Sequence, residues 1–274
     1  MKAEEIEKCR DLCYQFGIKD LASMLKVREV QAKSILNKSK IYDYCLNPYT
    51  GCQVGCAYCY ARLFIPRYSG HSEPWGEFVD VKVNAPALLK KQLMRAKKGT
   101  VWVSSVCDPY QPLEARYQST RQCLQELLAL QFPISIQTKS ALVLRDLDLF
   151  AQFNEIEVGF TITTDDEQMA KLFEPHASPV QERIEALGKI HSQGIKTFTF
   201  IGPLLPGNPE RLIELLQGKV DKVLIDRMNY MTSFKGFYYR HKITEGATES
   251  FFQKYKARLI TELKKRKMDF DVLF

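Results

Sequence analysis

Asn47-Pro-Tyr-Thr-Gly-Cys-Gln-Val-Gly-Cys-Ala-Tyr-Cys-Tyr60 places Cys52, Cys56 and Cys59 within eight residues. The spacing is C-x3-C-x2-C, with the aromatic Tyr58 just before the third cysteine. Thiolates are the usual ligands of iron–sulfur clusters. Three of them on one short loop can hold three irons of a cubane. The fourth iron then has no protein ligand nearby and stays open to a small molecule. Gly51 and Gly55 let the loop turn tightly, because glycine tolerates backbone angles that other residues avoid. Structural zinc is the competing use of these residue types. It needs four closed ligands, usually arriving as two pairs. The chain has one triplet, no second C-x2-C, and only Cys45 or His71, at poor spacing, to complete a zinc set. Ligand type and spacing together favour the cluster.

The rest of the chain suits a soluble globular protein. Its 274 residues bound it to one or two domains, one barrel-sized domain included. Hydrophobic residues make up 45% and charged residues 26%, an ordinary globular balance. No apolar run approaches the roughly 18 residues of a membrane helix. The mixed, acidic start Met1-Lys-Ala-Glu-Glu-Ile-Glu-Lys is unlike a secretion signal. We therefore expect a cytoplasmic protein, a compartment where eight cysteines stay reduced and serve metals or chemistry. The net charge of +7 permits a nucleic-acid partner without demanding one. Basic residues crowd Lys254 to Lys267, interleaved with Tyr255, Leu259, Ile260 and Leu263 at near-helical spacing. This reads as an amphipathic helix with a solvated basic face, or as a phosphate-tracking surface.

Residues 3–37 read as two helices, the first with Ile6, Cys9, Cys13 and Phe16 on one face. Cys9 and Cys13 are read as packing residues rather than ligands. Gly17 and Asp20-Leu-Ala-Ser-Met-Leu faintly suggest a helix-turn-helix. From residue 41 strands alternate with helices. The strands are expected at 41–46, 101–106, 134–138, 157–163, 196–201 and 222–226, rich in Val, Ile, Phe and Thr. The helices fall at 86–98, 119–130, 145–153, 179–192 and 209–217. Ser178-Pro179 with Gln181, and Asn208-Pro209, are start signals, and Gly194 and Gly218 mark ends. The alternation implies an α/β fold with a parallel sheet, short of the eight strands of a closed barrel. The cysteine loop then follows the first strand, at the carboxyl edge where such folds bind ligands.

The triplet with its aromatic neighbour resembles the signature of radical S-adenosylmethionine (radical SAM) enzymes. Asn47-Pro-Tyr-Thr-Gly-Cys, Cys59-Tyr-Ala-Arg62, Pro74-Trp-Gly-Glu-Phe-Val-Asp80 and Asp108-Pro-Tyr-Gln-Pro-Leu-Glu114 resemble the spore photoproduct lyase-like branch, over roughly residues 40–235. The resemblance implies a partial (β/α)6 barrel at 41–235. A helical extension at 1–40 and a basic helical extension at 236–274 would flank it. It also implies a [4Fe-4S] cluster on Cys52, Cys56 and Cys59, and S-adenosylmethionine (AdoMet) chelating the open iron. One electron, from a donor such as flavodoxin or ferredoxin, would cleave AdoMet to a 5′-deoxyadenosyl radical that takes hydrogen from a substrate. Nucleic acid is one substrate class, and a peptide or metabolite another. A non-enzymatic nucleic-acid-binding module built on a cluster or zinc is the remaining class.

Several residues would then hold the cofactor. Many radical SAM enzymes place Gly-Gly-Glu after the second strand to hold the methionine amine. This chain departs from that with Ser104, Ser105 and Asp108, whose oxygens accept from an ammonium, although Asp-Pro is also a common turn starter. Lys139, ending the third strand, matches a lysine that pairs with the methionine carboxylate; an ordinary surface lysine is the plainer reading. Alternation puts Thr161 and Thr163 on one strand face, toward the ribose, although threonine also simply favours strands. Arg183 would reach the carboxylate or make a helix-surface ion pair. The loop opening at Ile201 would lie beside the adenine, as would Tyr58. Cys107 sits two residues from the position of the lyase's hydrogen-donating cysteine, and two residues preserve the strand face. It is read as a hydrogen-atom donor or a buried structural thiol. Tyr230, with Tyr110 and Tyr239, would relay a radical, stack on a base, or only pack. Tyr42, Tyr44 and Tyr49 would shield the cluster from water. Cys45, Cys123 and the four histidines are assigned no chemistry.

Overall fold

In the computed structural model of the protein the described residues are 25–274. The expected helix around Cys9 and Cys13, and the suggested helix-turn-helix from Gly17, fall on residues outside that range. The strands are β1 (Lys26–Val30), β2 (Leu36–Lys38), β3 (Tyr44–Leu46), β4 (Tyr49–Thr50), β5 (Phe78–Lys82), β6 (Val101–Val103), β7 (Ile134–Thr138), β8 (Ile156–Thr161), β9 (Lys196–Ile201), β10 (Lys222–Ile225) and β11 (Asp269–Val272).

The main sheet runs β11-β10-β9-β8-β7-β6-β3-β2. From β3 to β11 every neighbouring pair is parallel, and β2 adds an antiparallel edge. β3, β6, β7, β8, β9 and β10 are the six expected strands, in chain order. The sheet stays open, with β2 and β11 at its two ends, as a partial barrel requires. Helices Ala85–Leu93, Ser119–Ala129, Val180–His191 and Pro209–Leu216 fill the expected connections. Each buries a stripe against the sheet: Leu89 and Leu93, Leu124 and Leu127, Ile184, Leu187 and Ile190, Leu212, Ile213 and Leu216. A fully buried side chain of this kind contributes about 1.5–3 kcal/mol. The fifth connection is a 3-10 turn, Ala141–Asp146, running into the short helix Leu147–Phe150.

Some boundaries differ for local reasons. β6 ends at Val103 because Ser104 takes a left-handed φ of 68°. Thr163 and Thr164 lie beyond β8, in the loop. Asn208 caps its helix by accepting from the Arg211 amide at 3.1 Å. Ser178 does not cap; its hydroxyl accepts from the Ala141 amide at 3.0 Å, and Pro179 takes the cap position.

Two expectations on the flanks are corrected. Residues 25–37 are not helical. Lys26-Val-Arg-Glu-Val30 pairs along its whole length with β5, in a second sheet ordered β1-β5-β4. Val27 packs there beside Tyr49, Val79 and Val81. Pairing to a sheet partner overrides local propensity. The C-terminal stretch does hold the amphipathic helix, Glu249–Lys265, which buries Phe252, Tyr255, Leu259 and Leu263. Lys254, Arg258, Lys264 and Lys265 face solvent on its other side, and Arg258 pairs with Glu210 at 2.8 Å. The chain then returns as β11, whose alternating Asp269-Phe-Asp-Val272 extends the main sheet beside β10. β11 thus adds to the main sheet a strand that the expected helical extension did not include. Among the described residues no helix is long and apolar enough to cross a membrane.

Candidate active site

The cysteine loop leaves β4 and is shaped by close backbone approaches. Gly51 has φ +87°, and a Cβ there would lie 2.4 Å from the Phe78 carbonyl oxygen. Gly76 packs on Gly55 so closely that its Cβ would sit 3.1 Å from the Gly55 Cα. Cys52 and Cys56 are buried, Cys59 is half-buried, and all three are free thiols. They line a cavity of about 630 Å³ with residues from the carboxyl ends of β6, β7, β8, β9 and β10. This is the sheet edge where parallel α/β folds bind ligands.

The donor set fits an iron–sulfur cluster. Three thiols on one loop, all lining the same cavity, offer one sulfur each to separate irons. Burial pushes the Cys56 thiol up to about 12, with Lys139 pulling the other way. Thiolates in such a place need positive charge, which bound metal supplies. The Asp108 amide donates to Cys52 Sγ at 3.3 Å.

The cavity also presents groups for an amino-acid ligand. Lys139 reaches it as a half-buried ammonium. Burial works against this charge, yet Cys56, Glu174 and Asp108 hold its pKa above the ordinary lysine value. It lies over the Tyr58 ring, 5.7 Å from the ring centroid. A cation so placed suits a carboxylate. Ser104 Oγ is buried, lines the same cavity and lies beside the Cys107 thiol. Its left-handed backbone is the kind of local strain found at ligand sites.

Asp108 lines the cavity, but its carboxylate is already engaged. It accepts from Thr138 Oγ1 at 2.6 Å, from the Tyr110 amide at 2.8 Å and from the Lys139 amide at 2.8 Å. It acts as a clamp that fixes Lys139 rather than as a free acceptor for an amine. Ser105 accepts from Asn47 Nδ2 at 3.1 Å. Thr161 lines the cavity, where its hydroxyl accepts from Gln137 Nε2 at 2.9 Å.

Thr163, Arg183 and Ile201 stand behind the wall. Arg183 is buried and donates to Glu174 at 2.5 Å, to the Thr161 carbonyl at 3.1 Å and to the Ser178 carbonyl at 2.6 Å. Thr163 donates to the same Glu174 at 3.2 Å, and so does the Tyr58 hydroxyl. Burial opposes the Glu174 charge, but Arg183 and Lys139 hold its pKa below the usual carboxylate value. The expected cofactor contact of Arg183 is therefore replaced by a buried ion pair that braces Tyr58. Ile201 is fully buried in the core, and its neighbours Gly202 and Pro203 line the cavity.

Cys107 lines the cavity close to the cysteine loop. Its thiol donates to the Tyr49 carbonyl at 3.6 Å and faces Asn47 Oδ1 at 4.0 Å. Burial pushes its pKa up to about 11, while Ser104 and Lys82 pull the other way. At neutral pH it is a thiol, the form that carries a hydrogen atom. Tyr230 stands at the mouth, 50% exposed, its ring stacked on Tyr60 at 6.4 Å. Tyr110 is buried and donates to Asp146 at 3.0 Å. Tyr239, 77% exposed, lies away from the cavity. Of the three shielding tyrosines only Tyr42 lines it. Tyr44 donates to the Lys97 carbonyl at 2.9 Å, and Tyr49 donates to Glu114.

Sequence reading passed over Asn47 and Glu174. Asn47 joins the end of β3 to the loop after β6, accepting from the Val106 amide at 3.0 Å as well as donating to Ser105. An amide side chain between a strand end and Pro48 was the available signal. For Glu174 it was a carboxylate set between Phe173 and Pro175.

Residues 46–217 match the family profile described as the radical SAM superfamily. An uncharacterized protein of Methanocaldococcus jannaschii is 34% identical over 89% of this chain and 95% of its own length. A radical SAM Nalpha-GlyT isomerase of Pseudomonas phage M6 is 26% identical over 58% of this chain and 33% of its own. A mutant spore photoproduct lyase, solved with bound AdoMet and dinucleoside spore photoproduct, superposes with a TM-score of 0.67. It is 15% identical, over 98% of this chain and 94% of that one, a likeness of fold.

Proposed function

This chain belongs to the radical SAM superfamily, an enzyme family that uses a [4Fe-4S] cluster and AdoMet, and we propose that it abstracts hydrogen from a nucleic-acid substrate and returns hydrogen through Cys107. The observation that carries this reading is the sharing of one cavity by Cys52, Cys56 and Cys59, the Lys139 ammonium and the Cys107 thiol. When bound, the cluster would deliver one electron to AdoMet and release a 5′-deoxyadenosyl radical.

The chain's own residues do the rest. Cys52, Cys56 and Cys59 bind three irons from a loop fixed by Gly51 and Gly55. Lys139, held by Asp108, pairs with the methionine carboxylate. Ser104, beside Cys107 on the cavity wall, accepts from the methionine amine. Tyr58, braced by Glu174, and the Gly202–Pro203 backbone bound the adenosine. The cavity wall also carries Tyr42, Trp102, Phe198 and Phe200, which exclude water from the reacting atoms. Cys107, kept protonated and held by Asn47 and the Tyr49 carbonyl, gives a hydrogen atom to the product radical, and the thiyl radical left on it takes one electron from the same reductant and a proton from solvent. Tyr60 and Tyr230 at the mouth offer ring faces on which a base can stack. A small electron-transfer protein such as flavodoxin or ferredoxin supplies the electron, and the reduced thiols suit the cytoplasm.

A nucleic-acid substrate is supported by the fold shared with spore photoproduct lyase. The test is an anaerobic reaction with AdoMet, reductant and uniformly deuterated DNA. Deuterium should enter 5′-deoxyadenosine; no transfer with active enzyme would remove DNA as the substrate. In the same assay Cys107→Ala should still take up deuterium, while intact product falls at least about tenfold and abortive adducts appear. An unchanged product yield would make Cys107 structural.

Lys139→Met should weaken AdoMet binding roughly 10–100-fold, because a hydrogen bond to a charged group contributes about 1.5–3 kcal/mol. Equilibrium dialysis on the reconstituted protein measures it. An unchanged Kd would remove Lys139 from the AdoMet site.

A further inference from the structure

Trp75 occupies a position that the reading above leaves without a purpose. Its ring packs against the group formed by Cys52, Val54 and Cys56, and against the neighbouring group of Ala61, Ile65 and Phe78. Cys59 borders both groups, so the indole lies against the loop that carries all three cysteines. It meets Phe78 edge-on, with ring centroids 5.9 Å apart. The next residue, Gly76, is pressed against Gly55, which fixes where the indole sits. Trp75 does not line the cavity. It therefore approaches the cysteine loop from behind.

The indole Nε1 is buried and has no hydrogen-bond partner. A buried donor left unpaired costs about 1–3 kcal/mol, and such an orphan in a folded protein calls for an explanation. An indole N–H can only donate, so what is absent is an acceptor. The neighbouring thiols are weak acceptors while protonated. Once they bind iron they become thiolates, and hydrogen bonds to an ionised acceptor are roughly twice as strong as neutral ones.

We propose that the Trp75 indole N–H donates a hydrogen bond to a cysteine thiolate of the bound cluster and thereby sets its reduction potential. Hydrogen bonds to sulfur are among the levers that tune such clusters, and outer-shell partners of metal ligands commonly carry this duty. The reduced cluster has one more negative charge than the oxidised one. A donor aimed at its sulfur favours the reduced state and makes the electron easier to deliver. Trp75 is thus a positioning and tuning residue, not a catalytic one.

The inference rests on the cluster assignment, and its test separates the two. The enzyme is reconstituted anaerobically and its cluster potential is measured by EPR-monitored redox titration. Trp75→Phe keeps the ring and its contact with Phe78 but removes the N–H. Its midpoint should move negative by about a tenfold change in the reduced-to-oxidised ratio, about 59 mV for one electron, at unchanged iron content. Phe78→Leu, which alters packing and keeps the N–H, should leave the midpoint near wild type.

A second measurement needs no change at residue 75. The chain has two tryptophans, Trp75 and Trp102. In a Trp102→Phe background labelled with 15N-indole tryptophan, the reduced cluster should show a 15N hyperfine coupling and an exchangeable proton coupling lost in D2O. A normal cluster without the 15N coupling, or an unmoved midpoint in Trp75→Phe, would overturn the role of Trp75. Failure of the wild-type chain to assemble a cluster would overturn the cluster assignment and this inference together.

Discussion

Cys56→Ala should abolish both the cluster and the release of 5′-deoxyadenosine. The residue supplies one of three thiolates that line the cavity, and a cubane held by two protein ligands is not retained. Its place is also hard to refill. Cys107 lies near the loop, but its thiol is engaged with the Tyr49 carbonyl at 3.6 Å. Cys45 and Cys123 do not line the cavity. Iron and sulfide analysis of the anaerobically reconstituted variant, with its 400-nm absorbance, measures the outcome. The fold itself should survive, because Cys56 belongs to a small satellite group beside the main core. A variant that keeps full iron content would contradict the assignment of the triplet.

Arg183→Met should cost about 3–5 kcal/mol of stability, the usual effect of removing one partner from a buried ion pair. Its guanidinium and the Glu174 carboxylate are both buried, 2.5 Å apart. Removing the cation leaves that carboxylate buried with the Tyr58 and Thr163 hydroxyls and no ion-pair partner beyond the more distant Lys139 ammonium. Replacing both residues by methionine should recover much of the loss, because a buried pair exchanged for apolar groups is often close to neutral. Urea unfolding of the single and double variants measures both effects. A loss below about 1 kcal/mol for Arg183→Met would show that the pair is not holding the wall behind Tyr58.

The six barrel strands and four of the five expected helices could be read from local pattern, because each carries its own apolar stripe and punctuation. Lys196–Ile201 and Val180–His191 owe little to distant partners. β1 and β11 were different. Lys26–Val30 becomes a strand because β5 lies beside it, and Asp269–Val272 because β10 does. Neither partner is near in sequence.

The same division runs through the site. The cysteine loop declares itself by spacing, and Lys139 by its place at a strand end. What Asp108 and Arg183 do depends on partners about 30 and 9 residues away, Thr138 and Glu174. Asp108 could not be recognised as a clamp, or Arg183 as a brace, until those partners were in view. Charge type narrowed the choices for both residues, but contact decided between them.

The three cysteines and the facing wall together form the proposed site of an AdoMet-cleaving cluster. The most direct test of that assignment is the anaerobic incubation of iron-reconstituted wild-type protein with AdoMet and a one-electron reductant, with products separated by chromatography. 5′-Deoxyadenosine and methionine should form in equal amounts, and both should be absent from Cys56→Ala. Full cluster loading with no 5′-deoxyadenosine formed would contradict the assignment.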